Sequence, residues 1–187
     1  MGRSTRKYAI LAKLQPTAGV DSVPTGGANA MLVSNVQVNP LVANNVDRNL
    51  LRTYYGSSEQ LIGSNYKELS FDVEICGGAS AGSAPAWGPL LRGCAVAETL
   101  IAVTRADYTP VSAALEMLSI YCYVDGVEHK LLDARGDCSL SMRVGEIPKF
   151  SFRFWGKNGG IAAVANPPPR SAASSRRRSS PTRSRPR

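Results

Sequence analysis

The sequence predicts a mainly β protein: an antiparallel β-sandwich or barrel with one short flanking α-helix, followed by a disordered basic C-terminal tail. Three observations lead to this prediction. About seven short segments alternate apolar and polar residues, which is typical of strands in a half-buried sheet. One stretch, residues 77–97, changes to helical spacing. After Asn166 the chain consists of Pro, Ser, Ala, Thr and Arg, with no large apolar side chain to bury.

The N-terminal region, residues 1–29, is predicted to be an arm followed by a loop. Tyr8 to Leu14 alternates apolar and polar side chains and indicates a strand or an extended arm. Residues 15–30 contain two prolines and three glycines, which favour a loop. A main domain is expected over residues 30–160, and its first strand, Met31 to Asn39, is predicted to end at Pro40.

Residues 41–66 lack clear periodicity and are predicted to form one long loop. A compact domain rarely carries so long a loop without a role in binding or assembly. The clearest strand follows it, from Glu68 to Cys76. Its apolar side chains (Leu69, Phe71, Val73, Ile75) alternate with Glu68, Ser70, Asp72 and Glu74. The acidic face has two interpretations: a solvated strand face, or the lining of a water-filled passage where negative charge repels a polyanion.

The helix is predicted over about residues 85–96. Trp87, Leu90, Leu91 and Cys94 have i, i+3, i+4, i+7 spacing, so they share one face that can cover a sheet. Ser83 could cap its start. Pro89 fits if the helix begins late, near Trp87–Gly88, because proline is tolerated in the first turn.

Further strands are predicted after the helix. Glu98 to Val103 is one, followed by a turn near Asp107–Pro110. Asp125–Gly126 separates two apolar runs and strongly indicates a two-residue hairpin turn. The last two predicted strands are Cys138 to Val144 and Lys149 to Trp155. Inward-facing side chains on them are Cys138, Leu140, Met142, Val144, Phe150, Phe152 and Phe154.

The residue types argue against an enzyme and against a bound cofactor. The only histidine, His129, shares a strand face with Val127 and Leu131, where a structural role is commoner than a catalytic one. There is no phosphate-binding glycine motif and no metal-ligand spacing. The four cysteines, Cys76, Cys94, Cys122 and Cys138, have apolar neighbours, which favours small buried side chains over disulfides or a metal site.

The net charge of +8 belongs to the tail, residues 161–187. From Pro167 onward there are seven of the 22 basic residues and no acid, so the rest of the chain, with 14 acidic residues, is nearly neutral. A tail containing Arg176, Arg177 and Arg178 could bind polyanions through counterion release, or could be a solvated extension. The N-terminus does not resemble a signal peptide, and no segment is apolar enough to span a membrane.

Several motifs together resemble the tail tube (major tail) proteins of long, non-contractile-tailed bacteriophages and prophages. The similarity covers roughly residues 30–156. It rests on the order and spacing of APAWGPLLR (84–92), YTP (108–110), the DG turn (125–126) and ARG (134–136). None of these motifs is catalytic.

The resemblance implies a structural virion protein, made in the bacterial host cytoplasm, whose six-copy rings stack into a tube that conducts DNA. It implies other tail proteins at the tube ends and no membrane. The candidate lumen-facing residues are Glu68, Asp72 and Glu74. The candidate inter-subunit residues in the long loop are Arg48, Arg52, Tyr54 and Tyr55. The basic tail departs from the family pattern.

Two alternatives stay open at this stage. A nucleic-acid-packaging viral coat protein would also combine a β-sandwich with a basic arm, but it would form closed shells containing nucleic acid. A basic-tailed nucleic-acid-binding module would remain monomeric and would lose binding when the tail is removed.

Overall fold

The computed structural model describes residues 7–48, 50–51, 53, 55–56 and 58–167, and it shows a mainly β, antiparallel protein with two short helices in that part of the chain. In chain order the elements are β1 (Tyr8–Gln15), α1 (Gly26–Asn29), β2 (Ala30–Met31), β3 (Ser34–Asp47), β4 (Gln60–Glu74), α2 (Gly88–Arg92), β5 (Val96–Ile101), β6 (Arg105–Pro110), β7 (Met117–Val124), β8 (Val127–Ser141) and β9 (Lys149–Ala163).

Seven strands form one sheet in the order β2-β1-β7-β8-β9-β4-β3, and β5 and β6 form a separate hairpin. Each neighbouring pair is antiparallel. The short β2 and the long β3 lie at the two edges of the large sheet. Because β2 pairs with only Ile10 and Leu11 of β1, no strand among the described residues lies beside most of the outer edge of β1.

The hydrophobic core lies on one face of the large sheet. Period-two alternation sends Leu69, Phe71 and Val73 of β4 to this face, where they are almost fully buried. Four more strands and helix α2 contribute the rest: Ile10, Ala12, Leu90, Leu91, Leu118, Ile120, Cys122, Leu131, Ala134, Phe152 and Phe154. Helix α2 and the β5–β6 hairpin therefore cover this face.

A smaller apolar cluster lies on the opposite face, at β1 and β7. Leu11, Tyr121 and Tyr123 are buried there together with Ala30. The segment between β1 and α1 is tied to this face, because the Tyr121 hydroxyl donates a hydrogen bond to the Asp21 carboxylate and the Ser22 amide donates to Ser119 Oγ at 3.2 Å. The remainder of this face, on β8, β9 and β4, is not covered by that segment.

Helix α2 is shorter than the predicted 85–96 but begins where Pro89 requires. Pro89 lies in the first turn, and Leu90 and Leu91 are 0% and 6% exposed. Ser83 does not cap the helix: its hydroxyl donates to the Ser80 carbonyl at 2.6 Å instead. Trp87 packs against Tyr108 and Phe150, and its indole N–H donates to the Cys76 carbonyl at 2.9 Å.

The prediction for residues 31–66 was wrong in two respects. Strand β3 continues through Pro40 to Asp47, because an edge strand can turn a residue without an N–H toward solvent and because the pairing shifts between Asn39 and Val42. Residues 41–47 and 60–66 are also strand, not loop. They pair with each other and extend the β3–β4 hairpin beyond the core.

The local turn signals had mixed outcomes. Asp125 and Gly126 form the predicted hairpin turn with φ of 43° and 85°, the positive values that a type I′ turn requires. The turn predicted near Asp107–Pro110 was wrong: residues 105–110 form β6, and the chain reverses at residues 102–104 instead.

The inward orientation predicted for the end of β8 and the burial predicted for the cysteines were only partly right. Cys138 and Leu140 pair with Phe152 and Phe150, so they lie on the core face of the sheet. This end of β8, however, extends beyond the covered part of that face. Leu140, Met142 and Val144 are 51%, 66% and 107% exposed. Among the cysteines, Cys122 is buried, Cys94 is partly buried, and Cys76 and Cys138 are exposed.

Candidate functional site

The uncovered part of the sheet, called here the open face, is built by three adjacent strands. The register places Asp137 opposite Arg153, and Asp72 opposite Ser151. The period-two alternation along each strand then identifies the other side chains on this face. The open face consists of Glu68, Ser70, Asp72 and Glu74 on β4, Lys149, Ser151, Arg153 and Trp155 on β9, and Arg135, Asp137, Ser139 and Ser141 on β8.

The charges of the open face nearly cancel. It carries four carboxylates (Glu68, Asp72, Glu74, Asp137) and three basic groups (Arg135, Lys149, Arg153). The structure therefore brings the three predicted acidic residues onto one face, but together with basic side chains from the neighbouring strands. Such a surface is polar without a strong net field, so it would bind a polyanion weakly.

Glu68 is the most tightly paired of the three predicted acids. Its carboxylate accepts a hydrogen bond from Arg153 Nε and lies 3.5 Å from Asn39 Nδ2. The hydrogen bond from Arg153 lowers the pKa of Glu68, burial opposes this shift, and Asn39 and the Arg153 charge add to it. The Arg153 guanidinium also lies over the Trp155 ring, 5.1 Å from its centroid, which fixes its position on the face.

Asp72 is paired with neutral groups and Glu74 is exposed. Ser151 Oγ donates to one Asp72 carboxylate oxygen at 2.7 Å, and Asn35 Nδ2 donates to the other at 2.6 Å. Glu74 is opposite Lys149 in the register. Asp72 is therefore held in place by two uncharged donors, whereas Glu74 is exposed at the end of β4.

The second candidate region is the distal hairpin, defined as residues 41–66. Near its tip the Arg48 amide donates to the Glu59 carbonyl at 3.3 Å, and Arg48 Nη1 lies 2.5 Å from Glu59 Oε1. Arg48 is thus used in a contact within the hairpin. Tyr55 is 108% exposed. Arg52 and Tyr54 lie outside the described residues.

The distal hairpin exposes an unusual amount of apolar surface. Leu41, Val46, Leu50, Leu51, Tyr55, Leu61, Ile62 and Tyr66 are all at least 40% exposed. A second exposed apolar stretch, Leu140, Met142, Val144 and Ile147, lies at the end of β8 and in the turn before β9. Exposed apolar side chains grouped in this way mark interaction surfaces. The sequence did not predict the strands that carry the apolar side chains of the distal hairpin, because residues 41–47 do not alternate.

The remaining sequence predictions concern catalysis, metals and the tail. His129 lies in the middle of the sheet, opposite Cys122 of β7 and Ile161 of β9. In the part of the chain that the structure describes, no group of three or more His, Cys, Asp and Glu could hold a metal ion, and no helix is long and apolar enough to cross a membrane. Arg176, Arg177 and Arg178 lie outside the described residues.

Solved structures with a similar fold are components of contractile injection systems. No protein-family model and no curated protein matches the chain. A chain in the cryo-EM structure of the anti-feeding prophage cap, the tube terminating cap, is 9% identical with a TM-score of 0.52, covering 88% of this chain and 93% of that one.

A second similar structure is a chain of the sheath–tube complex of an extracellular contractile injection system, PVC, in the extended state. It is 7% identical with a TM-score of 0.54, covering 87% of this chain and 93% of that one. Non-contractile tails, which the sequence resemblance named, are not among these structures. The protein thus shares its fold with components of phage-tail-like injection particles.

Proposed function

We propose that this chain is a structural subunit of a phage-tail-like tube, forming stacked six-membered rings around a channel for DNA. Its site of action would be the virion or particle tail, with other tail proteins at the tube ends. The observation that carries the proposal is the difference between the two faces of the large sheet. One face packs into the hydrophobic core, whereas the other carries the polar, charge-balanced open face. The fold shared with a tube cap and a sheath–tube complex supports it.

Ring formation would use the two edges of the sheet. Within the residues that the structure describes, β3 has a partner strand on only one side, and β1 pairs with β2 at just two residues on the side away from β7. Unpaired edges present backbone N–H and C=O groups that can pair with another chain. In a closed ring each edge meets its counterpart in the next copy, and the open faces of all copies turn toward the axis.

Ring stacking would use the distal hairpin. Its apolar side chains extend beyond the core of their own subunit, so burying them requires a second chain. Arg48 is paired with Glu59 within the hairpin, whereas the Tyr55 side chain is fully exposed and available for contact with a neighbour. The contact would be between copies, because a tube repeats one interface along its length.

Transport of DNA would depend on the cancellation of charge on the open face. Pairing of Glu68 with Arg153 leaves no continuous positive surface on which phosphates could settle. The tail arginines are proposed to be dispensable for the tube and to give salt-dependent binding to DNA.

Electron microscopy of the purified chain at high concentration, together with native mass measurement, tests the proposal. We expect empty rings or tubes and a mass that is a multiple of six subunits. Closed shells that copurify with nucleic acid would support a coat protein instead, and a monomer at all concentrations would refute assembly.

A matched pair of variants locates the assembly surface. Ile62 in the distal hairpin is 66% exposed, and Val103 in the β5–β6 turn is 84% exposed. Ile62→Asp should abolish tubes, because it places a charge in the proposed contact, whereas Val103→Asp should leave them intact. Both variants should keep the circular dichroism spectrum of the parent. Tubes formed by Ile62→Asp would exclude the hairpin from the contact.

A further inference from the structure

Two of the four cysteines meet at the end of helix α2. Cys94 follows the helix, and Cys138 lies on the core side of β8, in register with the buried Phe152. Each thiol lies close enough to the other to affect its pKa. Both are free thiols in the structure.

Backbone hydrogen bonds position both Cys94 and the strand that carries Cys138. The Gly136 amide donates to the Gly93 carbonyl at 3.2 Å, which joins the residue before Cys94 to the strand that carries Cys138. The Cys94 amide donates to the Leu91 carbonyl at 2.9 Å and keeps Cys94 at the helix end. A Cβ on Gly93 would approach Leu118 Cδ1 to 2.5 Å, so the glycine allows this close packing.

The two thiols differ in access. Cys138 is exposed, whereas Cys94 is partly buried and packs against the hydrophobic core. Burial raises the pKa of Cys94, and the nearby thiol of Cys138 and the charge of Asp137 raise it further. Burial also raises the pKa of Cys138, while the neighbouring Cys94 thiol lowers it and the Asp137 charge raises it. Reaction would therefore begin at the accessible Cys138 and would be slow at neutral pH.

We propose that Cys94 and Cys138 form an oxidisable dithiol that closes to an intramolecular disulfide by exchange with a small-molecule disulfide such as glutathione disulfide. The Cys138 thiolate attacks one sulfur of the oxidant, forming a mixed disulfide and releasing one reduced thiol. The Cys94 thiolate then attacks the Cys138 sulfur, closing the internal bond and releasing the second thiol. The protein loses two protons and two electrons, which together are two hydrogen atoms, and the oxidant gains them and is reduced to two thiols.

The bond would fasten helix α2 to β8. The backbone hydrogen bond between Gly136 and Gly93 already joins the two segments. A cross-link between residues 94 and 138 closes a loop within the chain and restricts the unfolded state. We expect the thermal midpoint of the oxidised chain to rise by roughly 5–10 °C.

Mass spectrometry of the full chain after treatment with glutathione disulfide tests the proposal. We expect loss of two hydrogen atoms without added glutathione on this pair, and one cross-linked peptide that contains Cys94 and Cys138. The rate should increase from about pH 7 to about pH 9 because thiolate is the attacking species. A chain carrying glutathione on Cys138 with no internal bond would overturn the proposal.

Three single variants complete the test. Cys94→Ser should stop the reaction at the mixed disulfide on Cys138, and Cys138→Ser should give no internal bond. Cys76→Ser is the matched control, because Cys76 is also exposed, and it should form the cross-link like the parent. A cross-link that involves Cys76, or one that forms equally well in denaturant, would show that the folded structure does not select this pair.

Discussion

Glu68 of β4 forms an ion pair with Arg153 of β9 on the open face, diagonally across two paired strands. Arg153 is directly opposite Ser70, and Glu68 is opposite Trp155, so the bond runs from one register pair to the next. Side chains at such diagonal positions are within reach of each other when they are long. The open face is therefore less acidic than the three carboxylates predicted from the sequence would make it alone.

The first prediction concerns the ionisation of Glu68. Arg153→Gln should raise the pKa of Glu68 toward its ordinary value, because the hydrogen bond from Arg153 is the largest influence on it. Lys149→Gln on the same strand is the control and should leave the Glu68 pKa unchanged. Carboxyl-selective NMR titration measures both.

The sign of the accompanying stability change follows from the lowered pKa. The native state favours the charged form of Glu68, so its contribution is present above the unfolded-state pKa. It is lost as the pH falls through the lower folded-state pKa. A Glu68 pKa that is identical in Arg153→Gln and in the parent would show that the ion pair does not persist in solution.

The second prediction concerns the packing of helix α2. Leu91→Ala should lower the free energy of unfolding by about 2–5 kcal/mol, because a nearly fully buried leucine leaves a cavity when truncated. Leu32→Ala makes the same chemical change at a side chain that is 79% exposed and should change stability by less than about 0.5 kcal/mol. Denaturant unfolding compares them. Equal midpoints for the two variants would contradict the packing of α2.

The sequence predicted those elements whose structure depends on residues close to them along the chain. The alternation from Glu68 to Glu74 specifies a strand with one buried face, and this part of β4 lies between β9 and the edge strand β3. Asp125–Gly126 specifies its own turn through backbone conformation. Pro89 fixes where α2 can begin. In each case the sequence within a few residues contains the physical cause.

The strands of the distal hairpin could not be predicted, because what determines them does not lie in a local pattern of residues 41–66. Nothing in the described part of its own chain buries residues 41–47, so they are under no pressure to alternate. Proline usually ends a strand, but Pro40 is tolerated at an edge. Similarly, Leu140 and Met142 alternate correctly, yet alternation fixes only the face on which a side chain lies and not whether another element covers it.

The third prediction concerns Asp133, which ties the N-terminal segment to β8 and β9. Its carboxylate accepts hydrogen bonds from Gln15 Nε2 at 2.5 Å and from the Gly19 amide at 2.6 Å, and Lys157 Nζ lies at 2.8 Å. Asp133→Asn should destabilise the protein by about 1–3 kcal/mol near neutral pH, because these bonds are to a charged acceptor. Asparagine tolerates the φ of 52° at this position, so the backbone is unaffected.

The effect of Asp133 should also depend on pH. The hydrogen bond from Lys157 is the largest influence lowering the Asp133 pKa, followed by the bond from Gly19. The contribution is therefore full above the unfolded-state pKa and is lost as the pH falls through the folded-state value. Thermal unfolding of parent and variant should converge in acid, and a difference that does not shrink would assign the effect to something other than the carboxylate charge.

The final prediction places the open face inside the assembled tube. In a cysteine-free background, a single cysteine at Glu74 or Ser139 should be shielded from a bulky maleimide in intact tubes, because the channel would exclude the reagent. Both positions are exposed on the isolated subunit, so labelling should become complete once tubes are dissociated. Thr104→Cys, in the exposed β5–β6 turn on the other side of the sheet, is the control and should be labelled in both states. Complete labelling of Glu74→Cys and Ser139→Cys in intact tubes would place the open face on the outside and would exclude it as the channel lining.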